Sequence, residues 1–89
     1  MSEAGITEMV LDALKPRETT LVDLSRNLCL VDGVKEVKIT VREVDEKTET
    51  VRINLIGENI NYESIIEVAR ELGTAIRSID EIVYSRALS

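Results

Sequence analysis

Apolar residues recur along the chain with two different periods, and the switches between them outline six elements. Residues 6–14, Ile-Thr-Glu-Met-Val-Leu-Asp-Ala-Leu, read as a first strand, and Lys15-Pro16 ends it because proline cannot donate to a central ladder. Thr20 offers a helix cap with Asp23 in the favourable first turn, and Leu21, Leu24, Leu28 and Val31 keep helical spacing until Asp32-Gly33 stops it. From Val34 the period becomes two. Val37, Ile39 and Val41 alternate with Lys38, Thr40 and Arg42, and after a polar turn at Asp45–Thr48 the residues Val51, Ile53 and Leu55 alternate on the way back. That pattern is a hairpin. Asn61 can cap a second helix with Glu63 near its positive end, an apolar stripe of Ile65, Val68, Ala69 and Leu72, and Gly73 as its C′ residue. Residues 76–85 close the chain as a fourth strand, whose alternation slips around Ile79–Ile82 and so predicts a bulge there.

The order β-α-β-β-α-β with right-handed crossovers leads to an α+β ferredoxin-like sandwich. Its antiparallel sheet is ordered 4-1-3-2 and carries both helices on one face. The 89 residues suit a single domain over 1–89. A core of this size leaves a thin stability margin, for which oligomerisation is a common remedy. Tyr62 and Tyr84 are the only aromatics, so the core has to be aliphatic.

Charge narrows the partners. The chain carries a formal −6 and a pI near 4.6, which disfavours phosphate backbones and anionic lipid and favours cations or basic proteins. No apolar run is long enough to span a bilayer and the first residues lack a basic, apolar leader, so neither membrane nor nucleic acid is expected as a partner. Cys29 stands alone, which excludes an intrachain disulfide and suggests a reducing, cytoplasmic setting. With no histidine, no Ser-His or Cys-His nucleophile can be built, and the chain is not expected to be an enzyme. Cys29 itself reads as a small core residue of the first helix.

Three groups of residues are candidates for a site. Asp12 lies in a central strand, where an acid is unusual. It is either bonded to a neighbouring Ser, Thr or Arg, or joins Glu43, Asp45 and Asp80 in binding a hard cation, calcium or magnesium, through carboxylate oxygens. Nothing in the chain requires a cofactor. Arg17 and Arg77 should approach one another at one end of the sandwich, either paired with Glu18 or Glu49, or forming an anion-binding or docking pair. If Leu11 and Ala13 face the helices, Ile6, Val10 and Leu14 face away and would form an apolar patch that a second subunit covers. The leading function is an oligomer-forming structural or regulatory module organised by a divalent cation. The alternatives are a sensor resembling ACT domains, with a small ligand between subunits, and a remote acylphosphatase-like hydrolase using Arg17 and Asn54.

Three segments also carry a family likeness: Val10-Leu11-Asp12-Ala13-Leu14-Lys15-Pro16, the Val44-Asp45 hairpin with Thr48-Glu49, and Ser78-Ile79-Asp80-Glu81-Ile82-Val83. Together they resemble the archaeal family known as domain of unknown function 211, over nearly the whole chain. The resemblance implies a ferredoxin-like subunit, closed ring-like homo-oligomers, no established activity, and metal association at acidic sites. Members of that family often carry histidine where this chain has Arg17 and Arg77, so histidine-based chemistry does not carry over.

Overall fold

The computed structural model describes residues 3–86; the outermost residues of the expected 1–89 domain lie outside them. Strand β1 spans Ala4–Pro16, helix α1 Leu21–Cys29, β2 Val34–Val44, β3 Thr48–Gly57, α2 Tyr62–Glu71 and β4 Ala75–Arg86. The four strands form one antiparallel sheet ordered β2-β3-β1-β4, which is the expected topology read from its other edge. Both helix starts are held as the sequence predicts. Thr20 accepts from the amide of Asp23 and Asn61 from that of Ser64, each satisfying a donor the helix cannot. Gly73 follows α2 at φ +72, a left-handed cap that glycine adopts without steric cost.

The core is aliphatic. Met9, Leu11 and Ala13 of β1 and Val51, Ile53 and Leu55 of β3 pack against Leu24, Leu28 and Ile65 of the helices. Strand alternation places Val10, Asp12 and Leu14 on the opposite, open face. Ile6 departs from the expectation. It belongs to the core cluster, because an extra residue, Thr7, interrupts the β1–β4 register between Ile6 and Glu8 and turns Ile6 to the helix side. Val10 is buried to 3% exposure by its own sheet neighbours and Leu14 is half-buried. The apolar patch expected on β1 is therefore not an open one.

Strand β4 contains the predicted bulge. Val10 pairs with Glu81 and Leu11 with Ile79, leaving Asp80 unpaired; Asp12 pairs with Ser78 and Ala13 with Ile76, leaving Arg77 unpaired. Cross-strand partners share a face, so Ile76, Ile79, Ile82 and Tyr84 all lie on the helix side through their partners Ala13, Leu11, Met9 and Ile6. Ile79, Ile82 and Tyr84 nevertheless stay exposed at 43%, 44% and 61%.

Cys29 is exposed rather than part of the core. It ends α1, and the buried stripe runs through Leu24, Leu28 and Val31, a face that the residue after Leu28 leaves by about 100° of helical rotation. At the far turn Gly57 meets the backbone of Gly33 so closely that a Cβ there would lie 1.8 Å from the Gly33 carbonyl oxygen. No side chain fits.

Two substitutions test this packing. Thr74 is buried and its hydroxyl has no hydrogen-bond partner, so Thr74→Val should stabilise the fold by about 1 kcal/mol in urea unfolding. Gly57→Ala should cost about 3 kcal/mol or prevent folding, and unaltered stability would show that this backbone crossing is looser than described.

Candidate functional site

Lys15 has the same parity as Leu11 and Ala13, so the alternation of β1 aims it at the helix side, where it is 1% exposed. A buried ammonium is tolerated only with full compensation, and each of its three protons has a partner. Its Nζ lies 2.8 Å from a Glu49 carboxylate oxygen and donates to the carbonyls of Pro16 and Thr19. Glu49 sits directly opposite Lys15 on β3. The contact thus ties β3, β1 and the β1–α1 loop together at one end of the sandwich. Arg17 adds a longer approach to the same carboxylate at 4.0 Å, and its amide donates to the Lys47 carbonyl in the β2–β3 turn.

Asp12 and Arg77 form the second charged pair, on the open face. The Arg77 Nε and Nη2 reach one Asp12 oxygen at 3.0 and 2.9 Å, with both side chains partly solvated. The bulge that sets Arg77 out of register is next to Ser78, the strand partner of Asp12. An acid in a central strand is explained: it is paired across to the adjacent strand. Such a half-exposed pair contributes little to stability.

Arg17 and Arg77 do not form a common site. Arg17 approaches Glu49 on the helix side, while Arg77 engages Asp12 on the other face, so each arginine has its own carboxylate. The four acids are likewise not gathered. Asp12 is held by Arg77 on β1, Asp80 accepts from the Ser78 hydroxyl on β4, and Glu43 and Asp45 lie exposed at the end of β2 and in the hairpin turn. Among the described residues, no group of three or more acids or cysteines is spaced to hold a metal ion. Arg17 and Asn54 are also distant. Pro16 pairs with Thr48, and Asn54 lies six residues further along β3, about 20 Å away at strand rise. One phosphate cannot touch both.

Comparison with known proteins places the chain in a family. The family model described as uncharacterized ArCR, domain of unknown function 211, matches residues 7–88. The chain belongs to the DUF211 family. An archaeal relative, uncharacterized protein MJ0319 of Methanocaldococcus jannaschii, is 38% identical over 84 residues, covering 94% of this chain and 87% of that protein. The match includes the whole β1 segment from Thr7, so the Thr7 bulge, Asp12 and Lys15 of this DUF211 domain all lie inside the family region. Among the described residues, no helix of the domain is long and apolar enough to cross a membrane.

Sequence reasoning missed two features of this DUF211 chain. One is the burial of Lys15, which strand parity alone could have indicated, since every second residue from Met9 faces the core. The other is the common groove of Tyr62 and Tyr84 where β1 begins and β4 ends, which depends on long-range pairing of those strands. The Lys15 contact yields a test. Lys15→Met keeps the aliphatic stem but removes the charge, leaving Glu49 only partly solvated, and should cost about 3 kcal/mol in chemical unfolding. Lys15→Met combined with Glu49→Leu should recover most of that loss. A single substitution as stable as the parent would show that the pair adds nothing.

Proposed function

We propose that this domain is an assembly module, a subunit that packs against copies of itself along β4. One observation carries the reading. Strand β4 is a sheet edge with no strand on its outer side, and Ile79, Ile82 and Val83 on it are 43%, 44% and 37% exposed. Unpaired N–H and C=O groups beside branched aliphatics are a template for another strand, and folded proteins normally blunt such an edge. Both edges carry charges and bulges, Lys35, Lys38 and Arg42 on β2 and Arg77, Asp80 and Glu81 on β4. What favours β4 is the run of Ile79, Ile82 and Val83 exposed along its middle, whereas Val41 and Val44 of β2 are exposed towards the hairpin. A short aliphatic core supports the same conclusion, because burial between subunits adds the apolar contact that the chain's size denies it.

The assembly replaces the surface expected on Ile6, Val10 and Leu14, two of which are already buried. Edge pairing of β4 with its own counterpart makes a twofold dimer, whereas β4 against a different surface of the next subunit closes into a ring. Divalent cations enter as a consequence of charge. Subunits of net charge −6 repel one another, and Glu43 and Asp45 stand exposed at the β2 edge, which a neighbouring subunit meets in the ring arrangement and not in the β4 dimer, so that a shared oxygen cage belongs to the ring.

Light scattering at micromolar concentration should give a multiple of 9.9 kDa. Ile82→Lys should return the mass to that of one chain with helical circular dichroism retained. A parent protein of monomer mass would end the proposal.

Calcium at about a hundredfold excess over its dissociation constant should stabilise the assembly by roughly 2–3 kcal/mol beyond sodium chloride of equal ionic strength. Asp45→Asn should remove most of that difference, whereas equal effects of the two salts would reduce the acids to a solvated face.

A further inference from the structure

The chain has two aromatic residues, and both line the same groove. It is an open groove of about 390 Å³ where β1 begins, β4 ends and α2 starts, with Asn59 and Asn61 on its rim. Its base includes Ile6 and Ile60, both buried, and Tyr62, Tyr84 and Glu63 line it as well. Tyr62 is half-buried and packs on the core, so its ring is anchored. Tyr84 is 61% exposed and lies on the helix side of β4 through its partner Ile6.

The chemistry of this lining selects a class of ligand. The faces of tyrosine rings carry negative potential and attract cations within about 6 Å. Glu63 adds a full negative charge, which outweighs the roughly +0.5 charge of the α2 N-terminus beside it. The other charged groups at this end line an adjoining groove that shares Asn59. They are Glu3, Glu58 and Arg86, and Glu58 is already paired with Lys35. A net charge of −6 steers cations towards the protein and anions away. A bare metal ion is poorly served, because Glu63 with Asn59 and Asn61 falls short of the roughly six to eight oxygens a hard cation takes. A neutral hydrocarbon would leave Glu63 without a role. We infer that the groove binds a small organic ammonium ion, its charge against the tyrosine rings and beside Glu63 and its alkyl part on Ile6 and Ile60.

The chain has no tryptophan, so its intrinsic emission reports Tyr62 and Tyr84 alone. Choline is the probe, titrated at constant ionic strength against its neutral isostere 3,3-dimethylbutan-1-ol. A saturable change in tyrosine emission is expected for choline and not for the alcohol. Glu63→Gln and Tyr84→Leu, both at surface-accessible positions, should each weaken binding about tenfold while leaving circular dichroism unchanged. Three results would overturn the inference: no saturable change up to about 100 mM choline, an alcohol that titrates equally well, or parent affinity in both variants. Tyr84 also belongs to β4, the proposed assembly edge, so the titration is followed by light scattering as well: a choline response at constant mass supports the groove, and a response that appears only with a change of mass also overturns it.

Discussion

The helical layer is too short for the sheet it covers. Helices α1 and α2, with 9 and 10 residues, reach about 14 and 15 Å, whereas β1 and β4, with 13 and 12 residues, run for about 43 and 40 Å. The molecule is accordingly elongated, 50 Å along its major axis and 21 and 17 Å across. Burial is concentrated where both layers overlap, on Met9–Ala13 and Val51–Leu55 against Leu24, Leu28 and Ile65. Beyond that overlap the sheet continues with apolar side chains and nothing of its own chain above them. The exposed stripe on β4 lies beside that overlap rather than beyond it: Ile79 and Ile82 pair with the buried Leu11 and Met9, and they stay exposed because β4 is the edge of the sheet.

Much of the fold was legible because its elements are locally consistent. The two helix caps, the C′ glycine and the clean alternation of β2 and β3 each satisfy a local rule that agrees with the whole. What resisted reading was the facing of side chains near bulges. Ile6 and Met9 are three residues apart, as are Ile76, Ile79 and Ile82, and a regular strand would send alternate members to opposite faces. One inserted residue in each interval, Thr7 on β1 and Arg77 and Asp80 on β4, brings them all to the helix side. The slip in β4 could be seen from its own residues. The one in β1 could not, because Glu8 and Val10 continue a plausible alternation through it.

The charged residues show the same division. A partner for Asp12 was expected on chemical grounds and is found in Arg77. The gathering of Asp12, Glu43, Asp45 and Asp80 was a guess about distance between strands, and the sheet order separates β2 from β4 by two intervening strands. Lys15 is the instructive case. The proline after it suggested the end of the strand, yet parity puts Lys15 under the helices, and three acceptors at the end of the sandwich make that position tenable. Burial of an ionised group depends on what surrounds it in space, which no single-sequence pattern records.

The uncovered strip gives the account its functional content: the apolar residues that α1 and α2 cannot reach are to be covered by another copy. Hydrogen exchange of the β4 segment over a range of protein concentrations tests this most directly. The outward amides of an edge strand exchange freely in a lone subunit and become protected once a second chain covers them. Protection of the outward amides of Ala75–Arg86 that falls progressively on dilution, while the β4 amides bonded to β1 and those of β1 and β3 stay protected throughout, is the predicted result. Exchange of those outward amides that is fast and independent of concentration would contradict it.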